Sequence, residues 1–468
     1  NKIGNLGFLI AMFLVYKNFS TLSFIELQAL VVNGVNPQLM GTITLICLCL
    51  FVGVCGKSAQ IPLYIWLPDA MAGPTLVSAL VHASTMVTAG IYIMTRLNFL
   101  FYLSPIAMTI VACVGCLTAF FAATIALVQT DIKKVLAYST VSQLGYMVLA
   151  CGVGAFEAGM FHLTTHACFK SLLFLCAGSV IVAMNHKQEI GEMGGLKDYM
   201  PITHKVFLIG VLAIIGVPGL SGFFSKDEIL WKAFLFPRIG LFLWIIATLT
   251  SALTAFYMVR LLCLTFYGKN CSDVHTRENI KETPAIMWAP LCVLAFFSIF
   301  VGYLGIPPVF GVTNLFAYFL EPIIYIPNEV ADKWSFISAH HSHSLELGLM
   351  LCSTMVVFVA AFSAIKLYRD GFSLLSHRLK EKFSTTHSLL LQKYQVDSFY
   401  EKTFVNNLRD MSYFLWKMID VKIINGFIDK LAMFFANLSG LFSFSINGSL
   451  QIYGIFMVLG ALYFMIFL

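Results

Sequence analysis

Charge is scarce in this sequence: only 11% of its 468 residues are Asp, Glu, Lys or Arg, against about 25% in an ordinary soluble domain. That shortage excludes a water-soluble globule, because 59% of the chain is hydrophobic and its mean hydropathy is +0.85. Strand-like alternation is missing as well. The apolar runs are near 20 residues long, enough to cross roughly 30 Å of hydrocarbon as helices and far longer than barrel strands. The net charge of +6 is spread over loops and makes no basic stripe, so no nucleic-acid partner is expected.

Redox and nucleotide signatures are absent too. There is no G-x-G-x-x-G, no spaced cysteine set for an iron–sulfur cluster and no haem attachment site. Gly56-Lys57-Ser58 has the tail of a phosphate loop, but Phe51 stands where the loop needs glycine. Twelve cysteines lie mostly inside apolar runs, as at Cys47, Cys49, Cys151, Cys168 and Cys176, and read as small buried hydrophobes. Cys113 and Cys116 read as one face of a helix rather than a disulfide or metal pair. No cofactor or metal is expected in this chain. The chain opens on Asn1 without a basic leader and cleavage site, and its first apolar run starts near Gly4, which reads as part of a longer protein.

What is present is a series of about eleven candidate spans, near 4–19, 41–65, 75–99, 104–129, 135–152, 157–184, 205–230, 239–267, 285–305, 345–366 and 450–468. The expected fold is an all-α, polytopic transmembrane helix bundle with two broken helices and a C-terminal amphipathic lateral helix. It divides into a bundle over 1–367, a basic linker and lateral helix over 368–445, and a terminal anchor over 446–468. Loops after even-numbered spans hold Lys133, Lys134, Lys187, Lys197, Lys269, Arg277 and Lys281, whereas the opposite side has only Lys17, Arg96, Lys232, Arg238 and Lys333. Positive-inside bias places the first set in the cytoplasm or matrix. Between 404 and 438, apolar residues such as Phe404, Leu408, Met411 and Leu415 recur every three or four positions, with charges on other faces. By itself this is a surface helix too polar to span, about 50 Å long.

Ionisable groups at membrane depth are costly and mark pathways. His162, His166 and Lys170 are spaced i, i+4, i+8 in one span, so they share a face and rise about 6 Å per step. Histidine titrates near neutral pH, which suits a proton relay. An H-x-x-x-H pair also occurs in metal sites, but its next neighbour on the face is a lysine, a poor ligand. Lys57 ends an apolar stretch just before a segment with Pro62, Pro68, Gly73 and Pro74, the pattern of a span broken near mid-membrane. Gly216-Val-Pro218-Gly219-Leu-Ser-Gly222 breaks a second span ahead of Lys226 and Asp227. His82 stands alone among small residues, where a packed hydrogen-bonder is the plainer reading. Arg260 and Glu346 read as snorkelling groups at span ends, Glu157 as a helix-start carboxylate, and His340, His341 and His343 as a solvated loop cluster.

Taken in order, Lys57-Ser-Ala-Gln-Ile-Pro-Leu, Trp66-Leu-Pro-Asp69, Val77-Ser-Ala-Leu-Val-His82-Ala-Ser-Thr-Met, Asp131-Ile-Lys-Lys-Val-Leu-Ala-Tyr-Ser-Thr-Val-Ser-Gln-Leu-Gly-Tyr, Phe161-His162 through Lys170, and Phe223-Phe-Ser-Lys226-Asp227-Glu228 closely resemble the antiporter-like membrane subunits of NADH:quinone oxidoreductase, respiratory complex I, and among them the subunit 5 family. Multi-subunit cation/proton antiporters are similar and supply the alternative. The resemblance implies proton translocation coupled to electron transfer elsewhere in a complex, with NADH, FMN, iron–sulfur clusters and quinone held by other subunits. It implies that Lys57 is the central lysine of one half-channel with His82 beside it, that His162, His166 and Lys170 connect to the second half, and that Lys226 and Asp227 form the exit. It also implies that the lateral helix clamps adjacent antiporter-like subunits. Lipid is a further partner, and the location is a mitochondrial inner or bacterial cytoplasmic membrane. Two departures stand out. The family's N-terminal helices, one with a glutamate that pairs with the central lysine, do not occur here, which points to truncation or to a separate N-terminal fragment. Asn5 also replaces a commonly acidic residue.

Overall fold

A computed structural model describes residues 1–337, 343–445 and 448–467. Their regular structure is helical, and the pairing of Asp131 with Glu189 is an isolated bridge outside any strand. Two compact units divide after Tyr394. His340 and His341 lie outside the described residues.

The first unit is a helix bundle. Its main members are α1 (Lys2–Phe19), α2 (Phe24–Val32), α3 (Met40–Lys57), α4 (Thr75–Ala83), α5 (Ala89–Arg96), α6 (Pro105–Ala126), α7 (Ile132–Gly152), α8 (Phe156–Ala183), α9 (Pro201–Ile215), α10 (Ser221–Leu235), α11 (Gly240–Phe266), α12 (Ala285–Phe300) and α13 (His343–Tyr368). Among the described residues, eight helices are long and apolar enough to cross a membrane, and a ninth crossing results if α1 and α2, bent by 52°, count as one. The expected eleven are not reached. The stretches 75–99 and 205–230 are apolar enough, but each is split into short helices.

α7 is the centre of this unit. Its apolar window is buried throughout, whereas that of α12 is mostly open, as expected for one helix enclosed by protein and another facing lipid. α6 lies close against it because small residues face each other: a Cβ on Gly145 would stand 2.6 Å from the Ala119 nitrogen. Such stripes let helix backbones approach where water cannot drive association.

The loops interlock at two ends. At the basic end, Asp273 accepts a hydrogen bond and ion pair from Lys187, and Glu282 accepts from the Ile202 and Thr203 amides and the Thr203 hydroxyl. At the other end, the Tyr102 hydroxyl donates to Gly154 O at 2.7 Å, and Trp334 Nε1 donates to Tyr102 O at 3.0 Å. Arg260 departs from the snorkelling expectation. It is 4% exposed, its guanidinium donates to Gln129 O at 2.9 Å, and it lies over the Tyr368 ring.

Three unwound places punctuate the bundle. The first, after α3, holds Ser58–Ile65 before a short turn of helix at Trp66–Asp69. The second, Ser84–Thr88, separates α4 from α5 directly after His82 and was not expected, since it contains neither glycine nor proline. The third is Gly216–Leu220, between α9 and α10. Exposed backbone groups are costly at membrane depth, and here side chains satisfy several of them. Ser58 Oγ donates to Val87 O at 2.7 Å, tying the first two breaks together, and Thr118 Oγ1 accepts from the Ile61 amide at 3.2 Å. Gly216 ends α9 in the left-handed region, at φ 84°.

The second unit, Gln395–Leu468, is described on its own. Helix runs without interruption from Val396 to Ser445, alternating α segments with π segments at Glu401–Asn406 and Trp416–Asn425. It spans about 75 Å at 1.5 Å per residue, longer than the 404–438 pattern suggests. Phe404, Leu408, Met411 and Leu415 are all exposed. An apolar helix, Leu450–Phe467, follows.

Candidate functional site: a buried file of basic side chains

α8 is a 28-residue helix with Glu157 in its first turn, where an acid suits the helix dipole. Its length carries His162, His166 and Lys170 through the bundle interior. They are 1%, 0% and 0% exposed, so they face protein rather than lipid. The His162 and His166 ring centroids are 6.4 Å apart, close to the rise of four helical residues, about 6 Å.

Each base has a distinct setting. His162 is held at both ring nitrogens, with Nδ1 2.9 Å from Ser225 Oγ and Nε2 3.1 Å from Gln143 Oε1. Ser225 also lies 3.0 Å from Thr165 Oγ1, so hydroxyls of α8 and α10 meet at this ring. Both faces of a neutral imidazole are then served, one as donor and one as acceptor. His166 is different: neither of its nitrogens has a protein partner. Lys170 Nζ donates to Leu136 O at 3.2 Å, and that carbonyl also accepts from Thr140 Oγ1 at 3.0 Å. His82, on α4, is fully buried with its ring 5.1 Å from Phe174 and both nitrogens unpaired. Unpaired buried polar atoms are rare in native proteins, and here they include all four ring nitrogens of His166, on the helix of Lys170, and His82, on a neighbouring helix.

The third break aims another pair at this file. Ser221–Leu235 restarts as α10 so tightly against α9 that a Cβ on Gly222 would stand 1.9 Å from Ala213 O. Lys226, 3% exposed, lies with Nζ 5.0 Å from the Tyr146 ring centroid and without a hydrogen-bond partner. Tyr146 is turned by its own hydroxyl, which donates to Ala247 O. Asp227 Oδ1 accepts from Ser353 Oγ at 3.0 Å, while Oδ2 is unpaired. Lys226 and Asp227 both line a cavity of about 10 Å³ with Ser251 and Ser353, room for about one water molecule. A second cavity of similar size lies among Asp227, Glu228, Glu346 and Ser353.

Lys57 stands apart. It is partly buried at the end of α3 and lines an open apolar groove of about 420 Å³ with Phe8, Phe24, Leu50 and Ile93. None of the described carboxylates forms an ion pair with it. The geometry thus joins His162, His166 and Lys170 on one buried face, brings Ser225 beside His162 one residue before Lys226, and leaves Lys57 at the rim. Among the described residues, no three His, Cys, Asp or Glu side chains converge as a metal site.

Several participants escaped the sequence reading. Gln143 and Ser225 are neutral residues whose importance shows only once α7, α8 and α10 meet. Glu228 is 8% exposed with Oε2 unpaired, and its place in an S-K-D-E run was the available signal. Lys133, counted only as loop charge, is 5% exposed and donates to Gly73 O at 3.2 Å.

A buried basic file through a broken-helix bundle defines an ion-translocating membrane protein. The comparisons then place it: a family model described as NADH:quinone oxidoreductase/Mrp antiporter, transmembrane, matches residues 1–254, and the chain belongs to that family. Subunit L of the NADH-quinone oxidoreductase of Neisseria meningitidis serogroup B is 36% identical over 495 residues, covering 99% of this chain and 72% of the relative. Chain 5 of the NAD(P)H-quinone oxidoreductase of Picosynechococcus is 38% identical, covering 100% and 72%. Chain 5 of the NADH-ubiquinone oxidoreductase of Marchantia polymorpha is 43% identical over 370 residues, covering 77% and 55%. Among solved structures, the Mrp complex from Dietzia matches with a TM-score of 0.66 and 25% identity, over 93% of this chain and 45% of that one. The protein is thus a multi-pass membrane protein of this family.

Proposed function

We propose that this chain is a proton-translocating membrane subunit of an NADH:quinone oxidoreductase, passing protons along Lys170, His166 and His162 toward Lys226 and Asp227. The observation that carries this reading is the complete burial of three titratable groups on one face of α8, two ring nitrogens of which have no protein partner. The unpaired nitrogens of His166 and His82 are free to take and give protons, with water bridging the gaps. Lys57 enters the path when its ion pairing changes. A carboxylate seated in its groove by another helix favours the charged lysine, and withdrawing that carboxylate favours release. Lifting one charge across the membrane costs about 2.3 kcal/mol per 100 mV.

The cofactors of such a reaction, NADH, FMN, iron–sulfur clusters and quinone, belong in this reading to other subunits. The long 396–445 helix lies along adjacent antiporter-like subunits and buries its exposed apolar row there. A second reading, a cation/proton antiporter subunit, is favoured by the fold match to the Mrp complex. One experiment separates them: neutralise Lys57, Lys170 and Lys226 in turn and follow proton flux in vesicles. NADH-driven flux that falls with each change supports the oxidoreductase reading. Flux driven by sodium without NADH supports the antiporter, and unchanged flux in all three variants rejects both.

A further inference from the structure

A groove of about 630 Å³ opens on the bundle surface where α4, the last turns of α8 and the start of α12 converge. Its long wall is apolar, with Leu76, Leu175, Ile286, Met287 and Pro290. Leu76 and Ile286 are 73% and 84% exposed, so the wall faces the bilayer. Its mouth, at the interlocked basic end, carries Lys133, His186 and Gln188. Val182 also borders a second cavity of about 290 Å³, lined by Asn185, His275, Asn279, Lys281 and Glu282. The two cavities form one surface, oily below and basic above.

The charge balance there is positive. Lys133 donates to Gly73 O at 3.2 Å and Met71 O at 3.5 Å, and an ammonium carries three protons, so one is left for the groove. It forms no ion pair with any described carboxylate. The acids nearby are engaged: Glu282 caps the start of α9, and Asp131 caps α7 through the Lys133 and Lys134 amides. A basic mouth over an apolar wall has the polarity of one molecule class, a lipid with an anionic phosphate headgroup. Basic pockets between helices on the cytoplasmic or matrix side bind such headgroups.

We infer that this groove is a phospholipid site, with the headgroup phosphate at Lys133, His186 and Lys281 and an acyl chain against Leu76 and Ile286. The occupant is a lipid rather than a free phosphate because the basic mouth continues into an apolar wall that only an acyl chain would use.

The test uses the assembled complex containing this chain, reconstituted in phosphatidylcholine vesicles with a trace of phosphatidylglycerol bearing a photoreactive acyl chain. Adducts on Leu76, Ile286 or Met287 are expected, and excess phosphatidylglycerol should suppress them where excess phosphatidylcholine does not. Lys133→Gln should weaken labelling about five-fold. Because that change also uncaps two carbonyls, the exposed pair His186→Gln and Lys281→Gln provides an independent variant with the same expected loss. Equal suppression by both lipids means bulk lipid only and overturns the proposal. So does a groove without adducts while the exposed Phe242 face of α11 is labelled, since a protein neighbour then covers it.

Discussion

Replacing Lys170 by methionine separates structural from functional burial. The side chain is fully buried, and its one recorded hydrogen bond goes to Leu136 O. That carbonyl keeps the Thr140 hydroxyl at 3.0 Å after the change, so no acceptor is stranded. Methionine is flexible, apolar and of similar length, and fills the space. No described carboxylate pairs with Lys170, so the substitution removes a poorly offset polar group. The expected result is unchanged stability, or a gain of up to about 4 kcal/mol by analogy with buried charges replaced by apolar side chains. Proton transfer should behave oppositely. A positioned transfer group contributes on the order of 100-fold or more, and the next basic group on α8 is a full turn away. The assay is paired: thermal unfolding of the purified complex, and acidification of vesicles driven by NADH. A stable complex with normal pumping refutes the relay. A complex that fails to assemble refutes the packing argument.

Two further outcomes follow from geometry. Gly222→Ala places a Cβ 1.9 Å from Ala213 O, backbone that cannot step aside; overpacking of this kind costs about 1–3 kcal/mol, so the variant should melt earlier, and an unchanged melting temperature would show that α9 and α10 separate freely. Asp273 is held below the usual carboxylate range by Lys187 and Thr276, and Lys187 is raised by Asp273. A lowered carboxylate contributes its stability above its unfolded pKa and loses it as pH falls through the folded value, while the raised lysine loses its contribution as pH rises past the usual lysine range. Amide exchange in loops 184–200 and 268–284 should therefore be faster in Asp273→Asn at pH 7, with the difference closing below about pH 4; a constant difference across pH contradicts the pairing.

Much of the architecture was legible because hydrocarbon allows few solutions. Long apolar runs had to be helices, and three bases on one face of α8 had to turn inward. The breaks at Pro62 and Gly216 showed through their residues. The break at Ser84–Thr88 did not, because serine and threonine there satisfy backbone locally, as when Thr88 Oγ1 donates to Ser84 O at 3.0 Å. The count of spans failed for a related reason: hydropathy sums over 75–99 and 205–230 whether or not the helix continues. Arg260 looked terminal in sequence, yet Gln129 O and Tyr368 receive it inside the fold. The partners of His162 come from two other helices, at sequence distances of 19 and 63 residues, which no local pattern reveals.

The hydroxyl of Ser58 deserves a mechanical reading. It bridges two stretches of uncoiled chain, one starting beside Lys57 and the other beside His82, and the neighbouring Gly90 leaves so little slack that a methyl there would collide with it at 2.2 Å. One serine hydroxyl thus ties the uncoiled chain beside the lysine to the uncoiled chain beside the imidazole, so the two breaks share a single fastening.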